Sequence, residues 1–358
     1  MGVPSEPNES ILPKKLLELA PRLVREAIRI KEGQVVEVTL TGERRYLDIL
    51  DEFTLEISRL GAHPTIRLNS PTYRRRFMET VPEDYLRKPP PQMVKWIDDI
   101  DRHINLLADT PDFNPMHISQ KKMRYHREAQ KKITGKIQQR NVTTICIPTV
   151  ELANFCGFAL ETIEYRLISS LNVDYSELRR DCRHLAEEIR RKKQTITLCS
   201  GNGAELTCCL GDRQVWIEDG RHELPAGLVF FAPQENTVNG SVFIDKLNVS
   251  GRLVQNMMLI FENGRLKHSE AEDNHRVFID LVKKSYGDSE VFAGIGMGLN
   301  PGIDGYIGCD LLDFIAKGVV HIGMGSNLLY GGSNFSDLFL RIPVADPRLR
   351  INGDFVIS

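Results

Sequence analysis

The sequence lacks the long apolar segments and the charge imbalance that would tie it to a membrane or to nucleic acid. Its longest apolar runs, such as VFFAP and VVHIGMG, are far shorter than the roughly 20 residues that cross a bilayer. The 46 basic and 48 acidic side chains leave a net charge of −2, so no general attraction to nucleic acid or anionic lipid is expected. The amino terminus, MGVPSEPNES, has no basic segment followed by an apolar one, and Glu6 breaks the myristoylation pattern. We therefore expect a cytoplasmic protein.

Common signatures of bound metal, disulfides and nucleotides are also missing. The seven cysteines are odd in number and include no CxxC pair, which favours reduced thiols over a zinc knuckle or a disulfide framework. No GxGxxG or GxxxxGK[ST] motif follows either of the first two predicted strands, so a nucleotide-binding site is not indicated.

The first part of the chain alternates between helical and strand patterns. Apolar spacing predicts helices over residues 11–31 and 46–60, each ended by a glycine, and strands over 35–40 and 64–69. Residues 71–93, with three consecutive prolines, are interpreted as a surface connection, and a basic helix and another strand are predicted over 119–140 and 143–149. This alternation is typical of a parallel α/β domain, which we place at residues 1–150.

The remainder, residues 151–358, changes character. Two helices are predicted over residues 150–171 and 175–193, and from residue 194 short strands alternate with glycine and asparagine. We expect a helical segment followed by a β-rich α+β domain. Its last eighty or so residues are dense in glycine, which indicates tight turns and close approaches of the backbone.

Four ordered blocks in this second part carry a resemblance to a known family. They are LPAGLVFFAP with NG and Asp245 following it (residues 224–245), MGLNPGI (297–303), DFIAKGVVHIGMGSN (313–327) and GGSNFSDLFLR (331–341). In this order and spacing they resemble the aminopeptidase-T metallopeptidases, whose scaffold the dihydroxypyridine dioxygenases share. The resemblance implies that fold, an active-site cleft in the second domain, and a homodimer.

The resemblance also implies a site that holds two divalent ions, or one iron in the dioxygenases, through carboxylates and imidazoles. Among the corresponding positions only His321 keeps a side chain that binds metal. The others carry side chains that do not: Leu228, Gly294, Phe314, Phe339 and Arg341. Asp313 and Asp337 are nearby, so a one-residue shift of the alignment restores one ligand but not the set.

We therefore expect no bound metal cofactor and no metal-dependent hydrolysis. The remodelled cleft, lined by the six positions above, is expected to bind a peptide or a small carboxylate, with Arg341 as the anchor for the anion. Such a pseudoenzyme would serve as an accessory protein or in a metal-free biosynthetic step. His321 is interpreted as a relic ligand, a new acid or base, or a core residue, and Arg341 as a ligand anchor or the partner of Asp337.

The alternative is a working metalloenzyme, an aminopeptidase or ring-cleaving dioxygenase, with relocated ligands. The segment EAEDNH, residues 270–275, offers enough ligands on paper, although acids at the start of a helix also interact favourably with its dipole. Asp304, Asp310 and Asp313 also lie near the implied site. Because catalytically silent homologues can persist as subunits, a heteromeric partner is the alternative to a homodimer.

Overall fold

The computed structural model describes residues 12–109, 119–138, 141–191, 195–249, 251–303, 305–306 and 308–357. The helices of this part of the chain are α1 (Lys14–Arg22), α2 (Leu47–Arg59), α3 (Pro71–Thr80), α4 (Glu83–Leu86), α5 (Pro91–Trp96), α6 (Gln120–Gln138), α7 (Val150–Cys156), α8 (Leu160–Leu171), α9 (Tyr175–Arg191), α10 (His275–Lys284) and α11 (Asp310–Asp313). The strands are β1 (Val35–Thr41), β2 (His63–Asn69), β3 (Arg102–Leu107), β4 (Asn141–Cys146), β5 (Thr195–Cys199), β6 (Glu205–Cys209), β7 (Val215–Glu218), β8 (Glu223–Leu224), β9 (Leu228–Phe231), β10 (Asn239–Val249), β11 (Arg252–Glu262), β12 (Arg265–Glu270), β13 (Phe292–Gly298), β14 (Val320–Gly325), β15 (Phe339–Pro343), β16 (Arg348–Ile351) and β17 (Asp354–Ile357).

The chain forms two compact units, residues 1–172 with 220–225, and residues 173–219 with 226–358. The first unit therefore includes α7 and α8, which follow the boundary that we predicted at residue 150. One reason is local: the guanidinium of Arg22, at the end of α1, donates a 2.5 Å hydrogen bond to the side chain of Asn172, just after α8.

The first unit is built on a parallel sheet of five strands in the order β2-β1-β3-β4-β8. The predicted alternation of helices and strands is confirmed here. The first helix is shorter than the predicted range of 11–31. Its α-helical part ends at Arg22, a π-helical stretch (Leu23–Ile28) follows, and the helix ends at Arg29, whose φ is 63°.

The prediction that residues 71–93 form only a surface connection is wrong, because this segment folds into α3, α4 and α5. Ser70 begins α3: its hydroxyl accepts the backbone N–H of Tyr73 at 3.2 Å. Pro71 occupies the first turn, where its missing N–H is not needed.

The second unit contains two antiparallel sheets, which confirms the predicted β-rich domain. One has seven strands in the order β12-β11-β10-β6-β5-β16-β17, and the other has five in the order β15-β14-β13-β9-β7. All seven cysteines are free thiols. In the described part of the chain, no helix is both long and apolar enough to cross a membrane.

Candidate functional site

The five-stranded sheet of the second unit brings the candidate residues onto one face. Because successive side chains of a strand point to opposite faces, directly paired residues of neighbouring strands share a face. His321 of β14 pairs with Gly296 of β13, and Gly323 pairs with Arg341 of β15. Other pairs on this face include Gly294 with Gly323, Gly298 with Leu228, Gly296 with Phe230, and Gly325 with Phe339. Phe314, which follows α11, reaches this face with its ring 4.6 Å from the His321 ring.

Glycines on β13 leave room that aromatic side chains occupy. A Cβ atom on Gly296 would overlap with the His321 imidazole, and one on Gly294 would overlap with the ring of Phe230. Phe230 thus occupies the space next to the backbone where the resemblance implies a glutamate. Phe230 is not among the residues predicted from the sequence. The only signal for it is the alternation of glycines in GIGMG, which points to a close neighbour on that face.

His321 is completely buried among rings. Its exposure is 0%, and its ring lies 6.1 Å from the ring of Phe230 at an interplanar angle of 27°. Among the described residues, neither ring nitrogen has a hydrogen-bond partner. Burial, and secondarily the positive charge of Arg341, hold the pKa of the imidazole well below its usual 6.5. His321 is therefore neutral at physiological pH, with a ring nitrogen that has a free lone pair.

Most of the predicted cleft residues are buried. Leu228, Phe314 and His321 are 6%, 1% and 0% exposed, and Gly294 is also buried. Phe339 and Arg341 are half-buried and keep surface that a ligand can touch. The six residues therefore lie together, but only Phe339 and Arg341 lie at the surface.

Arg341 lies between two rings. Its guanidinium carbon is 5.3 Å from the centroid of Phe314 and 5.6 Å from that of Phe339. Within the described residues it forms no ion pair and no side-chain hydrogen bond. Asp337, its suggested partner, instead accepts the backbone N–H of Tyr286 at 2.7 Å. The guanidinium thus remains available for an anion.

A second group of aromatic residues extends the surface next to Arg341. The ring of Tyr330 lies 4.2 Å from that of Phe230 and 5.6 Å from that of Phe339, and Trp216 lies 6.1 Å from Tyr330. Trp216 is 41% exposed. Such a surface suits an apolar or aromatic group that is attached to an anion.

Asp313, one of the three acids near the implied site, has a structural role. The carboxylate of Asp313 is buried and accepts the backbone N–H groups of Gly308 and Cys309 at 2.7 and 2.6 Å, closing the loop before α11. Asp304 and the side chain of Asp310 lie outside the described residues.

In the segment 270–275, the Nε2 of His275 lies 2.9 Å from the hydroxyl of Ser269, and Glu272 accepts a hydrogen bond from Asn256. No three or more His, Cys, Asp or Glu side chains of the described chain converge on a point that could hold a metal ion. The residues present at the six positions do not fit the ions that the resemblance implies.

Comparison with known proteins shows similarity in both sequence and fold. Residues 13–291 match the family model of thermophilic metalloproteases (M29). Aminopeptidase AmpS of Bacillus subtilis is 33% identical over 95 residues, a match that covers 24% of this chain and only 23% of the length of that curated relative.

Two solved structures are similar over nearly the whole chain. AmpT from Thermus thermophilus has a TM-score of 0.68 at 18% identity and covers 96% of this chain and 99% of its own. The 2,5-dihydroxypyridine dioxygenase from Pseudomonas putida has a TM-score of 0.63 at 15% identity and covers 96% of this chain and 95% of its own. At these identities the structures establish the aminopeptidase-T-like fold alone. Together with the family match, which includes more than half of the residues, they confirm the predicted resemblance: the chain belongs to the thermophilic metalloprotease (M29) family.

Proposed function

We propose that this chain is a non-hydrolytic member of its family that binds a peptide or a small carboxylate next to Arg341. The observation that carries the proposal is the packing on β13, where the Phe230 ring and the His321 imidazole occupy the room above Gly294 and Gly296. Carboxylate ligands at these positions would need that same space. The family match also ends at residue 291, before all of the candidate positions except Leu228.

The chemistry next to Arg341 supports an anionic ligand. A guanidinium without an acidic partner can hold a carboxylate through two parallel, charge-assisted hydrogen bonds. The rings of Phe339, Tyr330 and Trp216 lie alongside it and can cover an apolar group of the same ligand. Such binding suits an accessory role or a metal-free step in biosynthesis, in the cytoplasm.

One observation favours a second candidate, a metalloenzyme with relocated ligands. A metal-binding histidine needs a ring nitrogen with a free lone pair, and neither nitrogen of His321 has a hydrogen-bond partner. In that account, other donors would have to approach His321 after the rings around it move.

Metal analysis of the purified protein separates the two candidates. We expect well under one equivalent of zinc, cobalt, manganese or iron, and no release of amino-terminal residues from test peptides after any of these metals is added. The control is His321→Ala, which should contain the same trace of metal as the wild type. Stoichiometric metal that His321→Ala loses would contradict the proposal and favour the metalloenzyme.

Calorimetry with N-acetyl-phenylalanine, an aromatic carboxylate, tests the anchor. Replacing Arg341 by methionine keeps the apolar stem and should weaken binding by about 2 kcal/mol, or roughly thirtyfold, because the charge-assisted contacts are lost. Equal affinity in wild type and variant would show that Arg341 does not bind the carboxylate of the ligand.

We also propose that the chain forms a homodimer, with the second domain supplying much of the interface. Light scattering at micromolar concentration should then give twice the chain mass of 40.7 kDa. A monomeric mass would contradict this, and stable co-purification of a different chain would favour the heteromeric alternative.

A further inference from the structure

Helix α6 concentrates positive charge in a chain that is otherwise almost neutral. Between residues 120 and 138 the sequence has seven lysine and arginine side chains and one acidic side chain, Glu128, whereas the whole chain has a net charge of −2. The buried positions Tyr125, Ala129 and Ile133 recur every four residues, so they lie on one side of the helix. Four exposed cations, spaced three or four residues apart, form a stripe on the other side: Lys121, Arg124, Arg127 and Lys131.

Three cations surround the ring of Tyr125 at one end of this stripe. The guanidinium carbons of Arg87 and Arg124 lie 3.9 and 5.4 Å from the centroid of the ring, and the Nζ of Lys121 lies 5.9 Å from it. The guanidinium of Arg87 also donates a hydrogen bond to the hydroxyl of Tyr125. Like charges this close repel one another, so a bound polyanion would lower the electrostatic energy of the cluster.

The acidic side chains near these cations neutralise only part of the charge. Glu83 lies 2.6 Å from the Nζ of Lys121, and the hydrogen bond between them lowers the pKa of Glu83. Glu128 lies 3.9 Å from the guanidinium of Arg124, which is a loose contact. Within the described residues, the other exposed cations of the cluster and the stripe form no ion pair: Arg87, Arg127 and Lys131. Their charges remain available to an anionic partner.

Two exposed tyrosine rings lie beside the cations. Tyr73 of α3 and Tyr85 of α4 are 66% and 60% exposed, and their ring centroids lie 6.0 and 6.2 Å from that of Phe77. The ring of Phe77 lies 6.2 Å from that of His126, the neighbour of Tyr125 on α6. Exposed rings next to lysine and arginine offer stacking surfaces for nucleobases alongside contacts for phosphates.

We propose that this surface of α3, α4 and α6 binds a single-stranded polynucleotide. Its phosphates contact Arg87 and the stripe of α6, and its bases stack on Tyr73 and Tyr85. An acidic protein segment would use the same cations, but it has no bases to cover the two rings, so the observations favour nucleic acid. The surface lies entirely within the first unit and does not depend on the function proposed for the second.

Fluorescence anisotropy on the full chain tests the proposal with three labelled probes of about 12 units each: oligo(U) RNA, oligo(dT) DNA and oligo-glutamate. At least one polynucleotide should bind about tenfold or more tightly than oligo-glutamate, because only bases stack on the tyrosines, and the tighter one identifies the sugar. The logarithm of its binding constant should fall with that of the salt concentration, by about 0.7 for each phosphate contact. Equal binding of oligo-glutamate would favour an acidic protein partner, and no binding of any probe would mean a solvated surface; either result overturns the proposal.

Two substitutions of exposed side chains locate the binding. Arg127→Gln should weaken polynucleotide binding about threefold or more and make the salt dependence shallower by about 0.7, whereas the control Arg183→Gln, an exposed arginine of α9, should not. Tyr85→Leu should weaken polynucleotide binding about fivefold or more and leave the salt dependence unchanged, because it removes stacking and no charge. Its control is Tyr165→Leu on α8, where the side chain is 74% exposed. Wild-type affinity in either Arg127→Gln or Tyr85→Leu would contradict the proposed surface.

Discussion

The two units each bury a histidine on a strand, and the two histidines differ in everything around the ring. The Nδ1 of His103, on β3, lies 3.0 Å from the Oε2 of Glu37, on β1. His321 lies on an aromatic sheet face, with no hydrogen bond to either nitrogen and with a guanidinium as the nearest charge that shifts its pKa. The difference shows that the surroundings of an imidazole, more than its presence in a motif, decide what chemistry it can perform.

The aromatic face also shows how rings can fill the space beside a strand of the sheet. The glycines of β13 allow rings to lie directly against the backbone, so the room left by short side chains is filled with apolar atoms. Dense packing of this kind compensates for two unsatisfied ring nitrogens, each of which costs about 1–3 kcal/mol when buried.

The largest expected effect tests whether the aromatic face is filled. A Cβ on Gly294 would overlap with the ring of Phe230 and lie 2.5 Å from the backbone oxygen of Phe231, which cannot move without breaking the sheet. We expect Gly294→Ala to lower the free energy of unfolding by about 3 kcal/mol, as measured by urea denaturation.

The matched control for this substitution is Gly135→Ala in α6, where nothing lies within 4 Å of the added Cβ. It should be neutral or stabilise by up to about 1 kcal/mol, because alanine favours a helix. If Gly294→Ala were equally harmless, the space beside Gly294 would not be filled, and a carboxylate ligand of a metal would fit there.

The second effect concerns the way in which His321 makes the free energy of unfolding depend on pH. Its folded pKa lies below the unfolded value of about 6.5, so the unfolded state binds more protons as pH falls through that value. Stability that is present above about pH 6.5 should be lost in acid, by up to about 2 kcal/mol at pH 5. His321→Phe should flatten this slope in urea titrations across that range. Parallel slopes for variant and wild type would show that His321 protonates as easily in the folded protein.

The sequence predicted the backbone of both regions but only part of their chemistry. Apolar periodicity was sufficient for the parallel sheet, and ordered motifs grouped His321 and Arg341 in one cleft. Pairing between distant strands then decides which ring fills which gap, so Phe230 could not be assigned from local pattern. The helices α3 to α5 were missed because proline was interpreted as a breaker, although it is favoured in the first turn of a helix.

A third effect should appear only in the first unit and only at lower pH. The folded pKa of Glu37 lies below 4.5, so its contribution is present above about pH 4.5 and is lost as pH falls further. Glu37→Gln should cost about 1.5 kcal/mol at neutral pH, since a buried hydrogen bond to a charged group is lost. The difference between variant and wild type should shrink as the pH falls below about 4.5 and Glu37 becomes protonated in the wild type. A difference that is constant over this range would mean that the charge of Glu37 does not matter for stability.

The smallest effect is expected for Arg341, and it separates a ligand anchor from a structural residue. The guanidinium contacts two rings without an acidic partner, and cation–π contacts at partly exposed sites are worth about 0.5–1 kcal/mol each. Arg341→Met keeps the apolar stem over the rings, so we expect it to lower the free energy of unfolding by less than about 1 kcal/mol. Because the charge of Arg341 helps to keep His321 neutral, the variant should also have a slightly shallower pH dependence than the wild type. The matched control is Arg213→Met in the same unit, where both carboxylate oxygens of Glu235 lie within 3.0 Å of the guanidinium and a larger loss is expected. If Arg341→Met were as destabilising as Arg213→Met, Arg341 would be a structural residue, and the proposed anion site would lose its anchor.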